Sequence, residues 1–257
     1  MLLLRRLTAL AALLALSSLH ADESAPENLY LLMGQSNMVG RDTAGLDDQP
    51  AQPRVLVFTA GNTWKIAREP LDPATGAGMG PGTAFGAALL ADGGSIGLIP
   101  TAVGGTPLSR WVKGGDLYEN AVRRTRDALK TGGRLAGVVW HQGESDCLNQ
   151  NDADTYAVRL TWMLTDLRAD LGRPELPVVI GQLGDFLQLP YRDTVRSVLR
   201  DMPDRLEHVA FVDSAGLPHK GDRLHFTGAA EQELGRRYAK AMAALLRSYP
   251  ATCHSSE

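Results

Sequence analysis

The chain has 257 residues, 44% of them hydrophobic and 21% charged, which is enough for one large globular domain with a sizeable core. Lys and Arg number 26 against 29 Asp and Glu, so the formal net charge is -3; with no basic block, nothing recommends nucleic acid or an anionic membrane surface as a partner. Two cysteines, Cys147 and Cys253, are too few for a disulfide framework, and the Cys and His residues lack metal-site spacing, so no metal or cofactor is expected.

Residues 1–21 differ from everything that follows. Arg5 and Arg6 make a basic start, residues 7–16 are almost wholly Leu and Ala, and Leu19, His20 and Ala21 form an acceptable cleavage site. This is the layout of a secretory signal peptide, and its apolar run is too short to stay in a bilayer as a spanning helix. An amphipathic or core helix does not fit, because the run has no polar face to show solvent. No Cys follows it, so a lipoprotein is not expected. The expectation is a secreted or periplasmic protein, with 22–257 as a single domain and no stable membrane insertion. Oligomeric state leaves no signal in the sequence.

The first element of that domain lies in 29–39, LYLLMGQSNMV: an apolar run that stops at Gly34 and delivers Gln35, Ser36 and Asn37. Continuous apolar sequence marks a parallel strand buried on both faces, and ligands sit beyond the carboxyl ends of such strands. Residues 41–53 hold Gly, Pro, Asp and Gln without periodicity and read as a loop; 54–59, RVLVFT, reads as a short strand. Residues 64–81, rich in Gly and Pro, read as a long irregular surface segment. A small-residue helix is predicted over 83–91 with Thr83 as its cap, and a strand over 96–103 that ends in Gly104, Gly105 and Thr106. Over 116–130, Leu117, Ala121, Val122, Thr125, Ala128 and Leu129 recur at helical spacing. The strand at 135–140, LAGVVW, runs into His141, Gln142, Gly143, Glu144, Ser145 and Asp146. Asp152 or Asp154 is then expected to cap a helix that carries Leu160, Met163, Leu164 and Leu167 on one face and ends at Gly172. A strand at 177–183, a helix at 191–200 and a strand at 208–213 follow. A loop with Asp222, Arg223, Leu224 and His225 leads to Thr227, the expected cap of a closing helix.

Strands and helices alternate throughout, with connections too long for hairpins. The fold class is therefore α/β: a central parallel sheet with helices on both faces, three layers in all. In such a sheet the residues that follow each strand share one edge, so Ser36, Gly104, Gly105, Gln142, Glu144, Asp222 and His225 can converge. A serine hydroxyl needs a base within hydrogen-bond reach, and an imidazole held in one tautomer by a carboxylate supplies it. Asp222 and His225 are three residues apart, close enough to pair on a turn while the other ring nitrogen faces Ser36. Amides of Ser36, Gly104 or Gly105 and of Gln142 are candidate donors to an oxyanion. Asp146, Asp185 and Asp213 also follow strands and rival Asp222 as the orienting acid. Trp111 and Trp140 read more readily as packing than as a sugar platform.

The four blocks GQSNM (34–38), GGT (104–106), WHQGESD (140–146) and DRLHF (222–226) resemble the SGNH hydrolase superfamily. Within it they are similar to the sialate O-acetylesterase-like and carbohydrate esterase family six (acetylxylan esterase) branch. The resemblance implies a flavodoxin-like three-layer fold and metal-free removal of acetyl groups from an acetylated carbohydrate, through an acyl-enzyme on Ser36. It implies His225 as base, a Gly of the second block as an oxyanion amide, and Gln142 where the wider superfamily places an oxyanion-hole Asn. The acid stays open between Asp222 and Glu144, since the Glu of the HQGE block can also lie against the histidine in this branch. Met38 stands where an ordinary α/β-hydrolase elbow has its second Gly, which argues against that class. A carbohydrate O-acyltransferase and a non-catalytic carbohydrate-binding protein on the same fold are the alternatives. The 41–53 and 64–81 segments are the expected selectors among glycans.

Overall fold

A computed structural model of the chain describes residues 25–72, 76–90 and 93–248. The segment read as a signal peptide (1–21) and Cys253 lie outside these residues; Cys147 is buried with a free thiol. The strand Asn28–Gly34 (β1) is the centre of the molecule. Leu29, Leu31 and Met33 enter one apolar cluster and Tyr30 and Leu32 the other, which is why the run is apolar at every position. Around it stand Val55–Phe58 (β2), Trp64–Ile66 (β3), Ile96–Pro100 (β4), Arg134–His141 (β5), Val178–Gly181 (β6) and Val209–Val212 (β7). The sheet order is β3-β2-β4-β1-β5-β6-β7, parallel at every pairing except β2 with β3.

Two helical layers cover the sheet. Asp116–Leu129 (α3), Gln150–Asp170 (α4) and Arg192–Asp201 (α5) supply Tyr118, Val122, Tyr156, Leu160, Leu164 and Leu199 to the cluster with Leu29 and Leu31. Gly82–Leu89 (α2) and Gly228–Ser248 (α6) supply Phe85, Leu89, Leu234, Tyr238 and Met242 to the cluster with Tyr30 and Leu32. The three-layer α/β fold expected from the sequence is the fold observed. A single helical turn, Ser36–Val39 (α1), follows β1.

The chain leaves β1 for β2 on one side of the sheet and later leaves β5 for β6 on the other. A crevice therefore opens beyond the carboxyl ends of β1 and β5, the switch point where α/β proteins hold ligands. Here the two strands come very close: Gly34 pairs with His141, has φ +140°, and a Cβ on it would meet the His141 carbonyl oxygen at 2.0 Å. Only glycine permits that approach and that backbone conformation.

Several local expectations are corrected. The 64–81 segment is not wholly irregular, because Trp64–Ile66 adds an antiparallel edge strand to β2. The strand is only three residues long and only Trp64 of them is buried, too short a pattern to stand out in the sequence. Arg124 of α3 holds that hairpin from inside, donating to the Phe58 and Thr59 carbonyls (2.6 and 2.8 Å) and to Asn62 Oδ1 (2.7 Å). Thr83 does not cap α2; its amide instead donates to the buried Glu69 carboxylate (3.0 Å), a partner fourteen residues away. The cap of α4 is Asn149, whose Oδ1 accepts from the Asp152 amide (3.2 Å), ahead of both aspartates expected to do it. Gly172 (φ +64°) follows the end of α4, and Thr227 Oγ1 accepts from Ala230 N (3.2 Å) at the start of α6, as expected. Trp111 and Trp140 are fully buried edge to face, 5.5 Å between centroids, and serve packing.

Replacing Gly34 with Ala forces backbone strain and a clash at the strand crossing. A loss of about 3 kcal/mol or more is expected, which lowers the melting temperature by about 10 °C. Calorimetry of Gly34→Ala checks this, and an unchanged melting temperature would show that the crossing can relax.

Candidate active site

Gly34 ends β1, and the chain turns at once: the Gln35 amide donates to the His141 carbonyl (3.0 Å), and the Met38 and Val39 amides close onto the Gln35 carbonyl (2.9 and 3.1 Å). This turn holds Ser36, 5% exposed, at the crevice. Ser36 Oγ lies 3.0 Å from His225 Nε2, and His225 Nδ1 lies 2.7 Å from Asp222 Oδ2. An ionised carboxylate can only accept, so Nδ1 carries the proton and Nε2 is left to receive the one on Ser36.

The loop that brings His225 is itself shaped by Asp222. Its Oδ1 accepts from the Leu224 and His225 amides, both at 2.9 Å, and Arg223, between Asp222 and Leu224, takes a left-handed conformation (φ +55°). Partial burial disfavours the charged form of Asp222. The His225 amide and ring and the Leu224 amide outweigh that, holding the carboxyl well below the usual carboxylate range. His219, unmarked in the sequence, supports the same loop: its Nδ1 accepts from the Gly221 amide (2.9 Å) and the Arg223 amide (3.2 Å).

Gly104 comes against Ser36 from β4. The Val103 amide donates to the Gly34 carbonyl (3.0 Å), and a methyl group on Gly104 would meet Ser36 Cβ at 3.5 Å and Arg41 Nη2 at 2.0 Å. Glycine is required there by space. At Gly105 it is required by conformation (φ +70°), with open surroundings.

Gln142 and Glu144 are placed differently from expectation. Gln142 is fully buried; its Nε2 donates to the Thr106 carbonyl (2.9 Å) and Asp146 Oδ2 (2.6 Å), and its Oε1 accepts from Tyr156 (2.8 Å). Both amide hydrogens are thus committed, so the side chain braces the Gly-Gly-Thr turn from below instead of facing an oxyanion. Glu144 does not touch His225, whose two ring nitrogens are taken by Asp222 and Ser36. Glu144 Oε1 instead accepts from Asn37 Nδ2 (2.6 Å), and Oε2 has no partner among the described residues. Its approach to His141 Nε2 (3.8 Å) is no ion pair near neutral pH, since burial lowers the His141 pKa to about 4 and keeps the ring neutral. The other candidate acids are elsewhere too. Asp146 binds Arg159 (3.0 Å) and the Leu108 amide (2.9 Å), Asp185 binds Arg196, and Asp213 accepts from the Ala215 amide (2.8 Å).

Asn37 was not singled out from the sequence as a site residue. Asn37 stands inside the GQSNM block, but a lone Asn after a serine reads as turn chemistry until its partners are known. Among the described residues no three His, Cys, Asp or Glu side chains gather as a metal ion would need, and no helix is long and apolar enough to cross a membrane. A depression of about 460 Å³ lined by Gln49, Thr83, Gln232 and Arg236 shares no residue with the Ser36–His225–Asp222 array.

A three-layer sheet whose switch point carries a serine, histidine and aspartate in hydrogen-bond series defines the SGNH esterase class of fold. The match to known proteins narrows this. Residues 26–244 fit the family described as carbohydrate esterase, sialic acid-specific acetylesterase, and the chain belongs to that family. It is 38% identical over 238 residues to a protein of Arabidopsis thaliana named a probable carbohydrate esterase, an alignment covering 84% of this chain and 90% of the relative. The crystal structure of that plant protein superposes with a TM-score of 0.79 at 35% identity, covering 85% of this chain and 98% of the other. The structure of NanS shares the fold (TM-score 0.73, 19% identity, 87% and 99% covered). So does a carbohydrate acetylesterase from Xanthomonas citri (TM-score 0.65, 21% identity, 86% and 57% covered).

Two measurements probe the site. Asp222→Asn keeps the shape of the loop but removes the charge that fixes the His225 tautomer, and kcat is expected to fall about 10³-fold or more with little change in KM; a loss under tenfold would mean that another group orients the ring. Burial pushes the Glu144 carboxyl from 4.5 up to about 7. A raised carboxyl stabilises the fold fully below its unfolded pKa of about 4.5, and that contribution is lost as pH rises through about 7. Glu144→Gln is therefore expected to lose less melting temperature than the wild type between about pH 5 and about pH 8. Equal slopes for the two proteins would mean that Glu144 titrates like an ordinary carboxylate.

Proposed function

We propose that this carbohydrate acetylesterase hydrolyses O-acetyl esters on sugars through an acyl-enzyme on Ser36. The observation that carries the reading is the series Ser36 Oγ to His225 Nε2 (3.0 Å) and His225 Nδ1 to Asp222 Oδ2 (2.7 Å). Ser36 Oγ attacks the acetyl carbonyl carbon while its proton passes to His225 Nε2. The negative charge that develops on the carbonyl oxygen is met by backbone amides of Ser36 and Gly104, which glycine leaves open to a substrate. Collapse breaks the bond between acetyl and sugar oxygen, and His225 returns its proton to the departing sugar hydroxyl. A water then attacks the acetyl group on Ser36, giving its proton to Nε2. The second collapse releases acetate and restores the Ser36 hydroxyl. Asp222 stays ionised throughout and steadies the imidazolium formed in each half-reaction.

The family description and the name of the plant relative support an acetylated carbohydrate as substrate. Ser36→Ala is expected to reduce hydrolysis of a small aryl acetate at least about 10³-fold, since only binding and oxyanion contacts remain. Undiminished turnover would remove Ser36 as nucleophile. Acetate release measured across purified acetylated sialosides, xylans and pectins is expected to single out one glycan class; release from none of them, with the aryl acetate still cleaved, would sink the carbohydrate assignment.

A further inference from the structure

Asn37 is 1% exposed and uses its whole amide. Nδ2 donates to Glu144 Oε1 (2.6 Å) and to the Leu224 carbonyl (3.2 Å), while Oδ1 accepts from the Phe226 amide (3.2 Å). Two acceptors on one side and an N–H on the other allow only this orientation of the amide. The two backbone partners are the residues immediately before and after His225. Asn37 itself is the residue immediately after Ser36.

We infer that Asn37 and Glu144 form a positioning pair for the base: Asn37 clips the loop at 224–226 to the Ser36 turn, and Glu144 holds the clip. The inference rests on Ser36 and His225 being nucleophile and base. It gives the buried Glu of the HQGE block a role that does not need contact with the histidine. The Asp222 bonds to Leu224, His225 and the ring are all internal to the loop. The loop also meets the body through Arg223 on Gln188 Oε1 (3.2 Å), the Gly228 amide on Asp42 Oδ2 (2.8 Å) and the buried Phe226 ring beside His141 and Phe186, but none of these joins the residues on both sides of His225 to the Ser36 turn. The tie across to β1 and α1 runs through Asn37. Glu144 strengthens it because a short bond from an amide to a carboxyl oxygen between two buried side chains restrains the Asn37 rotamer strongly. A displacement of about 1 Å between nucleophile and base can cost about 10²-fold in rate, so the clip bears on turnover more than on binding.

The pair predicts a pattern that an orienting acid or a plain stability role does not. Asn37→Ala and Asn37→Asp are each expected to lower kcat for an aryl acetate about 10²-fold with KM within about twofold; the carboxyl group introduced by Asn37→Asp would set an acceptor oxygen against Glu144 where the amide had a donor. Glu144→Ala is expected to lose about tenfold in kcat, whereas Glu144→Gln, whose carbonyl still accepts from Asn37, stays within about threefold of wild type. In the Asn37→Ala background, Glu144→Ala should add nothing further, because its effect passes through Asn37. Near-isosteric Asn37→Asp and Glu144→Gln, checked by melting temperature, keep the test open should either alanine variant fail to fold. Full activity in Asn37→Asp, a Glu144→Gln loss as large as that of Glu144→Ala, or a further tenfold loss in the double variant each overturns the pair. Ser36→Ala run alongside separates the two claims, since activity surviving in it overturns the nucleophile assignment instead.

Discussion

The contact between the α-carbon of Gly34 and the carbonyl of His141 sets the geometry of everything at the crevice. It brings the end of β1 so near the end of β5 that no side chain fits between them, and the Gln35 amide then bonds the same carbonyl. The Ser36 turn is thereby fixed by backbone to the middle of the sheet, and the Val103 amide ties the end of β4 to the Gly34 carbonyl. Every other participant has only to reach that point. His225 does so from a loop before α6, Gly104 from the turn after β4, and the residues after β5 from below.

The block after β5 shows how buried polar groups divide the work. Leaving one such group without a partner costs about 1–3 kcal/mol, so a motif this polar in a closed space must find internal partners for most of its groups. Gln142, Asp146, Arg159 and Tyr156 do this among themselves and with Thr106 and Leu108, and the result is a rigid floor under the Gly104–Gly105 turn. Glu144 is the member that points away from this floor, toward Asn37. The groups left at the crevice are a serine, a histidine and an aspartate whose remaining bonds only shape its own loop.

Charge follows the same division. Asp222, partly exposed and held by three donors, stays ionised beside the His225 ring. Glu144, sealed in with a single donor, is pushed toward its neutral form. Of the two carboxylates left open in the sequence, Asp222 is the one that pairs with His225: the exposed one keeps its charge, and the buried one serves as an acceptor.

What could be read from the sequence follows from short-range physics. Apolar runs mark strands buried on both faces, a 3.6-residue spacing marks α3, and Gly172 and Thr227 mark helix ends, so the three-layer fold and the strand ends that carry Ser36, Gly104, Asp222 and His225 were all legible. The same rules fail where a partner is distant in the chain. Trp64–Ile66 is a strand because β2 is there to pair with it, Thr83 is relieved of capping by Glu69, and Gln142 and Glu144 turn inward because Thr106, Asp146 and Asn37 await them. Sequence by itself determined which residues stand at the sheet edge, since strand ends are local. Only the tertiary structure decided which of them face the crevice and which carboxylate meets His225, since hydrogen bonds between segments up to 189 residues apart settle that competition.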